Sequence, residues 1–440
     1  MAQFRKDTHT YLNQEKTIFE VVMLADQFGN LIGPANPSGA AVDAFGRARV
    51  SLPFTLFESS YRYQDNGKFC TANTTGTTCD FKANTSSIDM TLPTTSGASV
   101  YRESAKVFAY QPGKSLQIMN TFVMNPSKTN LRQRVGYFTT NNGYYLERSS
   151  LTTSGVCFVE RSYVTGTVVN TPVDQASWNV DKLDGTGASL LTLNLDDPQI
   201  LFIDMEWLGV GSVRMGFVIN GQPIICHVFH HANLDTSAKG AYIQSASLPV
   251  RYEIENTGTT SGSSTLKQIC STVLSEGGYE LIGKPREIGI EPTAASQIAL
   301  TSAGTYYPVM SIRLNPAFPD AVVVPKQLGL MPINAANYKY KVLVGATIGG
   351  AVWANVTSDS VVQYNTNTTA TVSGGNSVTT GYITSTVQAA GAINLVDSLF
   401  KYQLERNTLA NTTTTFTLAV TCGAATSNAC GSISFEEVVY

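Results

Sequence analysis

Charge is what this sequence has least of. Only 14% of its 440 residues are Asp, Glu, Lys or Arg, where soluble chains average about 25%. Long charged helices and coiled coils draw on Ala, Glu, Lys, Leu and Arg, so the shortage excludes them. Disorder is excluded from the other side, because 43% of the residues are hydrophobic and 10% aromatic. There is no basic surplus either: 29 Lys and Arg face 32 Asp and Glu, a net charge of −3. Nucleic-acid binding rests on clustered cations that neutralise phosphates. The nearest cluster is Lys128, Arg132 and Arg134, so no nucleic-acid partner is expected. No apolar run approaches the ~20 residues of a membrane-spanning helix, so no membrane insertion is expected. The first 20 residues carry Arg5, Lys6, Asp7, Glu15 and Lys16 in place of the apolar stretch of a secretory signal. Synthesis in a cytoplasm is the expectation that follows.

Cysteine and histidine are scarce too. There are seven Cys and four His. Cys70 with Cys79, and Cys422 with Cys430, each bracket a short loop. Either pair could close a disulfide in an oxidising medium, or all could stay as thiols. Neither has the close pairing of a zinc ribbon. Three of the four histidines fall in Cys226-His227-Val228-Phe229-His230-His231. On a strand, His227 and His231 share one face and His230 points to the other. All three cannot then reach one ion, and no HExxH is present. A metal on His227 and His231 is therefore the weaker reading beside a structural role, and no cofactor is expected.

Thr, Ser and Asn fill the place of charge, with 36 Gly and 17 Pro as punctuation. Strand signals are dense. Apolar-rich runs cover 190–195, 200–207, 212–219 and 223–229. Asn220-Gly221 between the last two is a type I′ hairpin signal, since both residues tolerate positive φ. At least three of these runs should form an antiparallel meander. Further strands are expected at 19–25, 46–52, 107–110, 115–122, 131–139, 143–148, 249–255 and 264–272. A polar stretch from Lys284 to Thr293 marks a boundary. After it, short strands recur at 306–314, 321–324, 338–345, 361–364, 370–373, 381–387, 400–404, 414–421 and 432–436, the spacing of a β-sandwich. The organisation expected is an arm and linker over 1–40, a β region over 41–285 and a C-terminal sandwich over 286–440.

Few constellations suggest chemistry. Asp204 and Glu206 lie two apart on one strand face. They could be the close carboxylates of a retaining glycosidase, about 5–5.5 Å apart. They could equally pair with Arg214 across the hairpin as a structural cluster. Gly278 to Lys284 begins like a phosphate-binding loop, but Pro285 stands where Ser or Thr must reach magnesium. Asn73, Asn84, Asn355, Asn367 and Asn411 open glycosylation sequons that an Asn- and Thr-rich chain produces by chance. Tyr137, Tyr144 and Tyr145 flank Asn141-Asn142-Gly143 at an expected hairpin tip, and Tyr61 and Tyr63 flank another polar turn. Exposed there, Tyr144, Tyr145 and Asn142 would suit sugar or protein contacts. The same rings would fit half-buried strand positions.

Several blocks carry a resemblance. Val42-Asp43-Ala44-Phe45-Gly46-Arg47-Ala48-Arg49-Val50-Ser51 is followed by Pro53-Phe54-Thr55-Leu56-Phe57. Tyr110-Gln111-Pro112-Gly113-Lys114-Ser115, Arg134-Val135-Gly136-Tyr137-Phe138 and Trp207-Leu208-Gly209-Val210-Gly211-Ser212-Val213-Arg214 come next. Then come His230-His231-Ala232-Asn233 and Arg251-Tyr252-Glu253-Ile254-Glu255-Asn256. In this order, over about residues 20–285, they resemble a family of virion structural proteins of tailed phages, of marine and cyanobacterial type. The segment from Trp207 to Phe217 also resembles the central strands of a concanavalin-like jelly roll. The resemblance implies an all-β chain, with an N-terminal jelly-roll or concanavalin-like β-sandwich followed by the C-terminal β-sandwich. It implies a non-enzymatic virion component of a tail, fibre, baseplate or capsid surface, with other virion proteins and copies of itself as partners. A host-glycan-binding adhesin, able or not to cleave its glycan, is the alternative. The family carries no catalytic residues onto this chain.

Overall fold

The structure is a computed structural model that describes residues 24–25, 31–32, 52–150, 155–234, 239–278, 282–318, 320–386, 391–394, 402–424 and 426–438. Thr- and aromatic-rich segments with turn residues between them leave strands as the only regular structure with a matching period. The chain is all-β: beyond strands, the described residues hold two single 3₁₀ turns, Ala83–Thr85 and Gln175–Ser177.

Residues between 54 and 275 build two antiparallel sheets. One runs in the order Val169–Asp174, Val156–Ser162, Gly143–Ser149, Leu131–Phe138, Val250–Asn256, Ser99–Ser104, Phe69–Asn73. The other runs Gln222–Phe229, Val213–Ile219, Gln199–Met205, Leu116–Val123, Ser264–Ser275, Ser87–Leu92, Thr78–Lys82, with Phe54–Ser60 also on Ser264–Ser275. The chain passes from sheet to sheet in the jelly-roll manner, so most neighbours are distant in sequence. Alternation places one side of each strand in the shared core. Leu116, Ile118 and Phe122 of one sheet face Val135, Tyr137 and Leu146 of the other. In Ser264–Ser275 a bulge at Ile269 resets that alternation, so that Leu266 and Val273 both reach the core.

The expected meander is present as Gln199–Met205, Val213–Ile219 and Gln222–Phe229. Asn220 and Gly221 have φ of +53° and +75°, as the tight turn requires. Three expectations fail. Residues 190–195 form no strand: Leu190 is exposed at φ +56°, and the run folds back through the bridge between Asp184 and Thr192. Its apolar side chains are split between surface and core, a pattern a period-2 reading cannot foresee. Residues 107–110 make one bridge, Phe108 to Leu248, and 402–404 make none. The expected arm over 1–40 and the strands at 19–25 and 46–52 lie mostly outside the described residues. Within them, Leu24–Ala25 pairs with Leu31–Ile32.

Residues from 284 onward build two further large sheets, with two small two-stranded ones, Thr347–Gly349 with Thr371–Ser373 and Arg406–Asn407 with Thr412–Thr413. One large sheet orders Lys284–Gly289, Ser427–Val438, Val322–Pro332 and Gly391–Asn394, with Ile298–Leu300 also on Ser427–Val438. The other orders Trp353–Asn355, Val362–Asn365, Tyr307–Leu314, Phe416–Cys422, Ala336–Val344 and Asn376–Ser385. They enclose a second core that includes Ile312, Leu328, Leu418 and Ile433. Between the two cores lies a small apolar seam of Val107 and Ala109 against Val322, Val324 and Val438. The backbone bond from Arg406 N–H to the Ala105 carbonyl and the bond from Gln403 Nε2 to the Val107 carbonyl, at 2.8 Å, cross the same seam.

Candidate functional site

Of the two readings of the tyrosines, exposed at a hairpin tip or set on covered strand positions, the structure takes the second. Tyr144 and Tyr145 are both 0% exposed and Asn142 is 4% exposed. The reason is their place: Gly143–Ser149 is an interior strand, hydrogen-bonded to Leu131–Phe138 on one side and Val156–Ser162 on the other. Tyr145 lies under the guanidinium groups of Arg134 and Arg161, 5.3 Å and 5.0 Å from its ring centre. Asn142 Oδ1 accepts the backbone N–H groups of Tyr163 and Gln244, pinning two loops. These three residues hold the sheet together and offer no face to a ligand.

Asp204 and Arg214 are register partners, and the carboxylate accepts from both Nε, at 3.0 Å, and Nη2 of the arginine. Ser115 Oγ donates to the other carboxylate oxygen. Glu206 is 0% exposed. The pair is thus sealed within the fold, with no opening for a sugar between two carboxylates. His227 Nδ1 accepts the backbone N–H of Asn179 at 3.3 Å, and its ring meets Phe229 edge-on. Burial, with His230 nearby, lowers its pKa to about 4. His231 is elsewhere, on the turn after the strand, with both ring nitrogens engaged. Among the described residues, no three His, Cys, Asp or Glu side chains are grouped to hold a metal. All seven cysteines are free thiols. Burial, aided by Glu103 and Glu405, pushes Cys70 up to about 11.

The basic cluster of Arg132 and Arg134 is neutralised within its own sheet. Arg132 pairs with Glu255, while Arg134 donates to Glu147 at 2.7 Å and to Glu253 at 3.1 Å. Glu253 also accepts from Arg251 at 2.6 Å. Burial works against the Glu253 carboxylate, but Arg251 and Arg134 outweigh it and hold the pKa below the usual range.

The open site lies beside His231. Near the end of strand Val156–Ser162, Glu160 lies next to a cleft of about 520 Å³. Its other walls come from the start of the edge strand at Val169, from the loop around Val210 and from residues 231–234 and 239–242. Glu160 Oε2 accepts from Tyr144 Oη at 2.6 Å and lies 2.7 Å from His231 Nε2. His231 Nδ1 lies 2.6 Å from the Gly211 carbonyl oxygen. Both ring nitrogens therefore lie against oxygen atoms, which fixes the orientation of the ring. The ring stacks on Tyr242 with centroids 3.6 Å apart and planes within 13°. Burial, then Tyr242 and Glu160, pushes the Tyr144 hydroxyl well above its ordinary pKa, so it stays a donor. Both contacts to Glu160 fall on Oε2, and Oε1 has no hydrogen bond among the described residues. The cleft thus combines one oriented carboxylate, one imidazole, an aromatic stack and largely aliphatic walls, with Ser162, Thr165, Asn233 and Lys239 as further polar lining. Its lining contains a single described carboxylate, Glu160.

Sequence reasoning singled out His231 for another role and missed Glu160. No local pattern marks it, because its partners lie 16 and 71 residues away in the chain.

No family model matches the chain, and no curated protein does. Among solved structures, it is similar to arcelin-5, a lectin-like defence protein from Phaseolus vulgaris. That match has 10% identity and a TM-score of 0.30, and covers 50% of this chain and 99% of arcelin-5. The β-glucanase of Bacillus licheniformis matches at 10% identity and TM-score 0.31, over 51% of this chain and 98% of its own. A carbohydrate esterase from the Shiga toxin-encoding bacteriophage phi24B matches at 10% identity and TM-score 0.29, over 52% of this chain and 100% of its own.

Proposed function

We propose that the protein is a non-enzymatic, glycan-binding structural component of a phage virion, and that the cleft beside Glu160 and His231 is its glycan site. One observation carries the glycan reading: a fixed carboxylate and imidazole at the base of a cleft whose walls are aromatic and aliphatic. A sugar ring is two-sided in the same way, with hydroxyls at its edge and C–H groups on its faces. Tyr144 and the Gly211 carbonyl hold Glu160 and His231 in place before any ligand arrives, which limits the ordering cost of binding. Binding is favoured over cleavage because glycoside hydrolysis uses two carboxyl groups flanking the bond. The described lining supplies one. The virion setting rests on the sequence blocks between residues 20 and 285, and on surfaces poor in charge that suit packing against other subunits, including copies of itself.

The test is a glycan array probed with the full chain and with Glu160→Gln. Retention of a limited set of glycans, abolished by Glu160→Gln, is expected. No retained glycan, or equal retention by the variant, overturns the reading. The particle setting is read by antibodies to the chain on intact virions, where regular labelling is expected and no labelling refutes it.

A further inference from the structure

The glycan reading leaves open what kind of sugar the cleft takes, and its walls bear on that. Val164, Val169, Val210 and Leu234 line it on three sides. Val169 and Val210 are each 45% exposed and Leu234 is 57% exposed. Single apolar residues in water are ordinary, but several gathered around one concavity mark a binding surface. The C–H faces of a hexose can lie on such a wall, but a hydroxyl pressed on it loses water without gaining a partner, a cost that an apolar substituent avoids.

The loop that presents Val210 is held under strain. Leu208 sits at φ +36°, a conformation rare for a bulky side chain, and is 49% exposed. No packing of its own side chain explains that cost. The loop is fixed by bonds around it: Gly211 N–H to Trp207 O at 2.6 Å, Trp207 Nε1 to Ile243 O at 3.2 Å and Tyr242 N–H to Gly209 O at 2.9 Å. Gly211 is needed for this closure, since a Cβ there would lie 1.8 Å from the Glu206 carbonyl oxygen. Strain kept in place by surrounding bonds is characteristic of ligand-contacting segments. Here it sets Val210 on the cleft wall and, through the Gly211 carbonyl, His231 at its base.

Resting on the glycan reading of this site, we propose that the cleft selects sugars bearing an N-acyl group. An acylamino substituent carries an N–H donor two bonds from an apolar acyl chain. The cleft offers the complement: a carboxylate acceptor at Glu160 next to the aliphatic wall of Val164, Val169, Val210 and Leu234. The volume of about 520 Å³ falls within the usual range of small-ligand sites and leaves room for the substituent beside the ring.

Ligand-observed NMR titration of the full chain with N-acetylglucosamine, N-propanoylglucosamine and glucose, and with the galactose series, tests this. The N-acetyl sugar of the preferred series should bind roughly five-fold more tightly than the parent hexose, the value of burying about one methyl group. The propanoyl sugar should gain about four-fold again for its added methylene. Val210→Ser and Leu234→Ser should bring both ratios towards one. Both side chains are exposed and lie outside the cores, so the variants should keep the wild-type circular dichroism and melting profile. Equal affinity for acylated and plain sugars overturns this inference and leaves the glycan reading standing. Failure of every sugar, here and on the array, overturns both.

Discussion

The two sandwiches share an architecture but treat charge in opposite ways. In the sheets built from residues 54–275, Arg102, Glu103, Arg134, Glu147, Arg161, Asp181, Asp204, Glu206, Arg214, Arg251 and Glu253 are all buried. Beyond residue 284, Glu437 alone among the described Asp, Glu, Lys and Arg residues is buried. The first region binds its strands with guanidinium–carboxylate ladders between neighbours, as in Glu147–Arg134–Glu253–Arg251–Glu103. The second fills the same kind of space with apolar side chains and hydroxyls such as Ser311, Ser360, Thr417 and Thr421. The difference teaches where to look for function. A region that already fixes charged groups inside its sheets can also hold one carboxylate, Glu160, at the edge of a cleft. The other region has few charged groups positioned in this way.

The contrast can be broken at each end. Arg134→Met removes the cation that Glu147 and Glu253 share. Leaving two buried carboxylates short of a partner should cost about 3–5 kcal/mol. Glu437→Gln is the matching change beyond residue 284. It should cost only about 1–2 kcal/mol, since Asp359 still pairs with Arg286 at 2.8 Å and the amide oxygen can still accept from Ser360 and Val361. Urea denaturation of the full chain reads both. Trp178, stacked on Phe158 at 4.2 Å, reports the first region, and Trp353, under Arg313 at 4.3 Å, reports the second. Equal losses in the two variants would remove charge placement as the distinguishing feature.

A smaller effect sharpens the comparison through pH. His227 is held at about 4 by burial and by His230, below the ordinary histidine value of about 6.5. Between these values the unfolded chain binds a proton that the folded chain refuses. Stability therefore rises with pH across the window and is lost as pH falls from about 6.5 to 4. The contribution is roughly 1–3 kcal/mol. In His227→Gln the slope of unfolding free energy between pH 4 and 6.5 should flatten by that amount. An unchanged slope would mean that the ring is not shielded from protons.

Much of the fold was legible where local pattern and burial agree. The meander from Gln199 to Phe229 and its Asn220-Gly221 turn follow from alternation and turn chemistry alone. Ser264–Ser275 was legible from its Thr and Ile content although a bulge breaks its period. Strands such as Ser99–Ser104 were not, because their burial depends on distant partners. Arg102 is accommodated by partners such as Gln268, Asp65 and Thr71, and Glu103 by Arg251 and Thr408. The same limit governs the site. Tyr144 and Tyr145 fit both an exposed hairpin tip and half-buried strand positions in the sequence, and the choice is made by the sheet, which continues on both sides of their strand. Glu160 carries no motif: Tyr144 is its register partner on the next strand, but His231, held by the Gly211 carbonyl, reaches it only from loops of the other sheet.

The most direct test of the central claim is hydrogen–deuterium exchange of the full chain with and without a glycan selected on the array. Slower exchange confined to peptides covering 156–169, 207–211 and 231–242 is the predicted result. Protection centred beyond residue 284, or none at a saturating glycan concentration, would contradict a binding site at Glu160.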